Sequence, residues 1–135
     1  MLDSIKCDLR GKDCVIIGAS NIVGRPMAME FLNAGATVQV CHKETKDIVQ
    51  KASSADVIVA AAGVANLVKE DWVKEGAVII DVGINRLDNG TLTGDVDYDA
   101  VKDKVSAISP VPGGVGPMTI AVLLENTLTA YQAKL

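Results

Sequence analysis

The sequence predicts a single α/β domain built on a mainly parallel β-sheet that helices cover on both faces. Short runs rich in Val and Ile recur along the chain, as is typical of strands buried on both faces. Segments with helical spacing separate these runs, which predicts βαβ units with right-handed crossovers. The first run also leads through a glycine turn, residues 18–24, directly into a helix. These three observations define the predicted class.

Local signals predict the elements of the first half. The helix after the glycine turn should end near Ala34, because Gly35 can adopt the left-handed conformation that helix ends favour. Thr45 is a candidate N-cap for a short helix, with Asp47 placed well for the helix dipole. The expected elements are strand one at about 13–18, strand two at 37–41, the short helix to about residue 53, and strand three at 56–63.

In the second half an antiparallel hairpin interrupts the alternation. Asn89-Gly90 lies between two short runs, and this is the strongest short-range signal for a hairpin, here within residues 84–94. A rigid loop of prolines and glycines at 110–117 should then lead into a strongly apolar last helix at about 118–133. The other expected elements are a helical piece at 67–74, strand four at 77–82, a brief helix at about 98–104 and strand five at 105–109.

Composition and charge narrow the class further. A length of 135 residues predicts one domain, which we place at residues 13–135, with residues 1–12 as a tail or linker. The net charge of −4 comes without a basic stripe, which argues against a nucleic-acid partner. No signal peptide and no apolar run of transmembrane length occurs, so we expect a soluble protein without a membrane partner.

Cys7, Cys14 and Cys41 are expected to be packing residues in a reduced, cytoplasmic setting. They are odd in number and form no C-x-x-C pair, so neither a disulfide framework nor a zinc site is predicted. Asp81 and Asp95 suggest a metal site or an acid pair as an alternative. Hydrogen bonds to nearby turns explain these two carboxylates better, so we expect no metal.

The turn from Gly18 to Gly24 is a candidate phosphate site. Glycines let the backbone approach a ligand closely, and the first free N–H groups of a helix attract anions. Pro26 suits the first helical turn, where its missing N–H has no partner in any case. The strict G-x-G-x-x-G pattern fails, because Ser20 and Val23 occupy the second and third glycine positions. The turn alone therefore leaves nucleotide binding open.

The end of strand two carries a second clue in His42, Lys43 and Glu44. An acid at this place holds the ribose 2′-hydroxyl of NAD, whereas a cation favours the 2′-phosphate of NADP. Lys43 is the candidate for that phosphate, although a merely solvated lysine is the alternative and Glu44 keeps NAD open. His42 is better explained as a polar strand end than as an adenosine contact or a general base.

Tyr98 and Lys102 form a Y-x-x-x-K pattern, which serves proton transfer in several reductases. Here the pattern follows the hairpin on a short charged segment, away from the predicted cofactor turn. We therefore expect a solvated helix without a catalytic role.

The segment 110–119 is the most distinctive, since prolines restrict its backbone while three glycines allow close approach of a ligand. Together with the segments 18–26, 41–43, 81–85 and 94–96, it resembles the cofactor domain of the bifunctional methylenetetrahydrofolate dehydrogenase/methenyltetrahydrofolate cyclohydrolase family. The similarity covers residues 9–129, nearly the whole chain. Motifs in this order are highly specific.

That resemblance implies a doubly wound, Rossmann-type domain that binds NADP. It places the phosphates at the glycine turn, the 2′-phosphate at Lys43 and the nicotinamide half near Ile84 and Thr119, with the folate beside the proline-glycine loop. The cofactor residues so implied are Gly18, Ala19, Ser20, Arg25, Lys43, Ile84 and Thr119, and the residues bordering the folate are Pro112, Gly113 and Gly114.

The resemblance also implies a limit. In the family, the catalytic lysine, its Y-x-x-x-K tyrosine and the substrate-orienting glutamine and aspartate come from a preceding N-terminal domain. We therefore expect no catalytic residue in this chain, NADP binding of its own, and tetrahydrofolate derivatives as partners only when that domain is present. The alternatives are a non-catalytic module for binding, dimerisation or regulation, and a dehydrogenase of the shikimate type, which would not explain the proline-glycine loop.

The last helix predicts association. Its apolar residues cover more than one face, and in the family this helix packs partly against the N-terminal domain. An apolar patch of this kind marks an association site, so we expect a homodimer or aggregation. The residues concerned are Ile120, Val122, Leu123, Leu124 and Leu128.

Overall fold

The computed structural model describes residues 1–134 and contains a five-stranded parallel sheet with a separate two-stranded antiparallel hairpin. The strands of the sheet lie in the order β2-β1-β3-β4-β7, and β5 pairs with β6. The strands are β1 (Asp13–Ile17), β2 (Thr37–Cys41), β3 (Val57–Ala60), β4 (Val78–Asp81), β5 (Asn85–Arg86), β6 (Leu92–Thr93) and β7 (Ala107–Ile108). The helices are α1 (Gly24–Asn33), α2 (Ile48–Ser53), α3 (Tyr98–Val101) and α4 (Val115–Gln132).

Alternate residues of the strands point into two cores, one on each face of the sheet. In β1, Val15 and Ile17 belong to the core that α2 and α3 cover, whereas Cys14 and Ile16 belong to the core that α1 covers. This burial on both faces explains why β1, β3 and β4 are nearly continuous apolar runs, whereas β2, at the edge of the sheet, alternates. The predicted doubly wound α/β fold with an edge hairpin is confirmed.

Residues 1–12 contribute to the second of these cores. A 3₁₀ turn, Asp3–Ile5, opens the chain, and the half-buried Leu2, Cys7 and Leu9 pack against the core beneath α1. The side chains of Arg10 and Asp8 form an exposed ion pair at 2.8 Å.

Two local predictions are wrong because competing contacts decide the geometry. Thr45 does not cap α2; its Oγ1 instead accepts a hydrogen bond from the backbone N–H of His42 at 2.9 Å, and Asp47 precedes the helix in a left-handed conformation. The expected helical piece at 67–74 shrinks to a 3₁₀ turn, Glu70–Trp72, because Val68 forms a parallel bridge with Val96.

The last helix begins at Val115, three residues earlier than the sequence predicts, and none of its residues is buried. Leu123, Leu124 and Leu128 each expose more than half of their surface. The helix therefore offers an apolar surface that no other element of residues 1–134 covers. Within those residues, no helix is both long and apolar enough to cross a bilayer.

Candidate functional site

The glycine turn lies at the carboxyl edge of the sheet, between the end of β1 and the start of α1. Gly18 has φ +120°, and a Cβ there would overlap the carbonyl oxygen of Ala61, which follows β3. A Cβ on Gly24 would overlap the carbonyl oxygen of Gly18 itself. Both glycines are thus required for the turn to pass close to β3 and for α1 to start directly beneath it.

The expectation that the first amides of α1 are free is wrong. Ser20 takes them: its Oγ accepts from the N–H of Val23 at 3.1 Å and of Gly24 at 3.4 Å, and its carbonyl accepts from Arg25 at 3.0 Å. Pro26 has no N–H to offer. The residue that stands in the place of a glycine therefore caps the helix from within the turn.

The free donors lie earlier, in the turn itself. Within residues 1–134, the amides of Ala19, Ser20, Asn21 and Ile22 donate to no protein acceptor. Arg25 reaches back to the same turn, where its Nε donates to the carbonyl of Ala19 at 3.2 Å. Successive unpaired amides beside a guanidinium form an anion-binding concavity, so the residues present fit a phosphate group.

A cavity of about 440 Å³ joins this turn to the end of β2. It brings together Gly18, Ala19 and Lys43, three of the predicted cofactor residues. The ammonium of Lys43 is exposed, with the Glu44 carboxylate as a loose neighbour at 3.9 Å. His42 also lines the cavity, and its Nδ1 accepts from the backbone N–H of Glu44 at 3.3 Å. This contact fits the interpretation of His42 as a polar strand end.

A second cavity, of about 230 Å³, lies at the same edge of the sheet. It brings Ile84 together with the predicted folate-bordering residues Pro112, Gly113 and Gly114. Thr119 does not line this cavity. It lies instead beside a third cavity of about 470 Å³ next to α1, and its hydroxyl donates to the carbonyl of Val115 at 3.4 Å.

The fully buried carboxylate of Asp95 organises the loop after β3. Its Oδ2 accepts from the N–H of Ala62 at 2.6 Å and of Gly63 at 2.8 Å, while its Oδ1 accepts from the N–H of Val64 at 3.0 Å. The Nδ2 of Asn85 donates to the same Oδ1 at 2.8 Å. The prediction that this carboxylate serves nearby turns is confirmed.

Asp81, at the end of β4, plays a similar role for the next loop. Its carboxylate accepts three backbone N–H groups at 3.0 Å, from Gly83, Asp95 and Val96. Its own N–H donates to the Oγ of Ser109, just before the proline-glycine loop, at 2.8 Å. Burial raises the pKa of Asp81, although the three donors oppose that rise.

Sequence reasoning did not find the roles of Asn85 and Ser109 in these two networks. The available signal was glycine at the contacting positions. A Cβ on Gly83 would overlap the Asp95 carboxylate, and a Cβ on Gly94 would overlap the Asp81 carboxylate. Gly83 and Gly94 each lie close in sequence to one of the two acids. They therefore indicated that each carboxylate packs directly against backbone.

The remaining candidates have structural environments. Cys14 and Cys41 are buried, and burial raises the pKa of the Cys14 thiol to about 12, so it is inert at neutral pH. Tyr98 is exposed, and Lys102 forms an ion pair with Asp99 at 2.7 Å, as expected of a solvated helix. Within residues 1–134, no three His, Cys, Asp or Glu side chains converge as metal ligands.

The parallel sheet, the amide-rich turn after β1 and the lysine after β2 define a class, the dinucleotide-binding α/β domains. Comparison with known proteins identifies the family within this class. Residues 1–135 match the family model described as "Tetrahydrofolate dehydrogenase/cyclohydrolase, NAD(P)-binding domain". The chain belongs to this family.

Curated relatives agree with the family model. The chain is 60% identical over 135 residues to the bifunctional protein FolD of Vesicomyosocius okutanii. This alignment covers 100% of this chain and 49% of that protein. It is 62% identical over 130 residues to bifunctional protein FolD 1 of Hydrogenovibrio crunogenus, and this alignment covers 96% of this chain and 46% of that protein. The chain thus spans about half the length of the curated relatives it matches.

Solved structures give the same result. The bifunctional FolD enzyme of Campylobacter jejuni superposes with a TM-score of 0.98 at 60% identity, over 99% of this chain and 48% of that one. The Trypanosoma brucei enzyme, solved with NADP cofactor and inhibitor, superposes with a TM-score of 0.93 at 39% identity. That match covers 98% of this chain and 48% of the Trypanosoma brucei chain. A D-2-hydroxyisocaproate dehydrogenase, at 16% identity and a TM-score of 0.57, shares the fold only.

Proposed function

We propose that this chain is the NADP-binding half of a methylenetetrahydrofolate dehydrogenase/methenyltetrahydrofolate cyclohydrolase of one-carbon metabolism, working in the cytoplasm. The observation that carries the proposal is the cavity that Gly18, Ala19 and Lys43 share, next to four unpaired amides. It offers donors for a pyrophosphate and a cation for a ribose phosphate on one surface. The relatives named bifunctional FolD, and the one solved with NADP, support the same assignment.

In this proposal, the amides of the turn and the Arg25 guanidinium bind the pyrophosphate. Ser20 contributes in two ways, because its N–H is unpaired while its Oγ and carbonyl hold the first turn of α1 in place. Gly18 and Ala19 form part of the wall of the cavity of about 440 Å³, the adenosine-side cavity, which receives the adenosine half of NADP in this proposal. The hydrogen bond from Arg25 Nε to the carbonyl of Ala19 orients the guanidinium before the ligand arrives, which lowers the entropic cost of binding.

Lys43 selects NADP over NAD. Its ammonium stands at the end of β2, where the ribose 2′ substituent lies in dinucleotide folds, and its 3.9 Å contact with Glu44 is loose enough to exchange for a phosphate. Replacing Lys43 with Ala should lower affinity for NADP about tenfold, since a charge-assisted contact is lost, and leave NAD binding nearly unchanged. Equilibrium titration of both proteins with both nucleotides measures this.

The nicotinamide and folate side lies at the second cavity. Ile84 and the loop residues Pro112, Gly113 and Gly114 form its walls. Thr119, which the family resemblance also implies for the nicotinamide half, lies outside this cavity. Bound NADP supplies the hydride acceptor for the methylene group of the folate. The chain's own part is to hold the two reactants in position against the backbone of this loop.

The isolated chain carries out no folate chemistry in this proposal. Asp81 is the one ionisable side chain that lines the second cavity among the described residues, and its oxygens already accept three N–H groups. A general acid or base must therefore come from another domain, as the family resemblance implies. Purified chain should bind NADP yet show no methylenetetrahydrofolate oxidation by absorbance; turnover at the rate of a two-domain relative would refute this part.

We also propose that the isolated chain forms a homodimer through α4. The exposed apolar surface of Leu123, Leu124 and Leu128 is the support. Sedimentation at high protein concentration should detect a dimer, and a Leu124→Lys, Leu128→Lys double variant should be monomeric with NADP binding retained. A wild-type chain that stays monomeric would contradict the proposal.

A non-catalytic module of the same fold is the second candidate, and the lack of an available base in the second cavity favours it. The nucleotide titration separates the two. No binding of NADP or NAD would favour the module, whereas preference for NADP would support the dehydrogenase half.

A further inference from the structure

We propose that Asp95 is a positioning residue that fixes the adenosine and nicotinamide sides of the cofactor cleft relative to each other, acting through the loop after β3 and through Asn85. The inference rests on the proposed NADP function and deepens it. Asp95 itself lines neither of the two cavities.

The loop that Asp95 holds forms a wall of the adenosine-side cavity. Ala62 and Val64 line that cavity, as does Lys43. Their backbone N–H groups both donate to the Asp95 carboxylate, at 2.6 Å and 3.0 Å. The position of this wall therefore depends on the buried carboxylate rather than on contacts within the loop.

Asn85 links the same carboxylate to the other side of the cleft. It directly follows Ile84, which lines the second cavity, and its Nδ2 donates to Oδ1 of Asp95 at 2.8 Å. Since Oδ1 also accepts from Val64, a single oxygen atom joins the two sides. This shared acceptor fixes the position of one wall relative to the other.

Hydrogen bonds use the full acceptor capacity of the Asp95 carboxylate. Four N–H groups donate to Asp95, and an ionised carboxylate has about four acceptor sites. No Lys or Arg forms an ion pair with Asp95 within residues 1–134. An amide side chain would turn one acceptor into a donor, so at least one N–H group would lose its partner.

The test compares NADP with adenosine 2′,5′-bisphosphate, which contains only the adenosine side of the cofactor. Asp95→Asn should weaken both ligands about tenfold, because both walls lose a fixed support. Asn85→Ala removes only the link to the second cavity. It should weaken NADP about tenfold and leave the bisphosphate unchanged. Asp56→Asn is the matched control, since its carboxylate also bridges two segments but lies at the opposite edge of the sheet.

The outcomes separate the two levels of the proposal. A wild-type chain that binds neither ligand overturns the proposed function itself. Wild-type binding with unchanged affinities in both variants overturns the positioning role of Asp95. If Asp95→Asn does not fold, Asn85→Ala decides alone: selective loss of NADP supports the inference, and equal loss or no loss for the two ligands refutes it.

Discussion

Asp95 at the carboxyl edge of the sheet and Asp56 at its amino edge both tie two segments together, but only Asp56 uses a cation. Asp56 accepts from the Asp13 N–H at 3.1 Å and from the Lys74 ammonium at 2.7 Å, and it is partly exposed. Asp95 is fully buried and accepts N–H groups alone. The carboxyl edge is therefore held by a buried carboxylate with N–H donors alone, whereas the amino edge combines one backbone donor with a partly exposed ion pair.

Asp81 extends this contrast to the pKa values. Burial raises the pKa of Asp81, whereas the hydrogen bond from Lys74 lowers the pKa of Asp56. The free energy of unfolding should therefore respond to pH with opposite signs at the two edges. The carboxyl edge of the sheet thus contains a carboxylate, that of Asp81, whose ionisation opposes folding. Its three hydrogen bonds to backbone N–H groups define the geometry of the adjoining loops.

The largest effect should come from Gly94→Ala. The added Cβ would overlap the carboxylate of Asp81 in a fully packed site, and relief requires displacing that side chain from its three N–H donors. We expect a loss of about 3 kcal/mol in the free energy of unfolding, measured with urea. Gly90→Ala is the matched control, because that hairpin glycine has φ +84° but open space around it; it should cost only about 1 kcal/mol. Equal losses would show that the carboxylate contact does not matter.

Asp81→Asn should have an intermediate effect, with a loss of about 1 kcal/mol at neutral pH because one N–H group loses its acceptor. The folded-state pKa of Asp81 lies above the ordinary value of 3.8, so its contribution is fully present below 3.8 and is lost as the pH rises through the folded pKa. Wild type should therefore exceed the variant most in acid. Urea unfolding between pH 3 and 7 measures the difference, and an advantage that grows with pH would contradict the raised pKa.

Asp56→Asn should have the smallest effect, about 0.5 kcal/mol at neutral pH, since water screens the pair with Lys74. The folded-state pKa of Asp56 lies below 3.8, so its contribution is present above that value and is lost as the pH falls through the folded pKa. The same urea series should show the advantage of wild type disappearing in acid. Slopes of equal sign for the two variants would remove the contrast between the edges.

Sequence patterns predicted the elements whose geometry depends on local chemistry. The apolar runs gave all five strands of the sheet to within a few residues, and Asn89-Gly90 located the hairpin, because strand burial and turn conformation depend on adjacent residues. The end of α1 followed in the same way from Gly35, which has φ +85°. The prediction of Lys43 as the 2′-phosphate contact also used a local rule, its position at the end of β2.

The misses share one physical cause, competition among several possible hydrogen-bond partners. Thr45 was a reasonable cap for α2, but the N–H of His42 takes its hydroxyl oxygen. The amides at the start of α1 looked free, but Ser20 occupies them. A sequence shows which groups can donate and accept, and it does not show which of several competing partners is closest.

The amino-acid sequence alone thus determined the α/β class and the order of strands and helices, and it predicted the turn proposed to bind a nucleotide phosphate, because periodicity and glycine positions act locally. Only the tertiary structure decided which loops share a support. Asp95 and the loop after β3 are more than thirty residues apart in the chain, and their contact forms only when β3 and β4 lie side by side. The walls of the proposed cofactor cleft therefore come from segments that are distant in sequence and meet only in the folded chain.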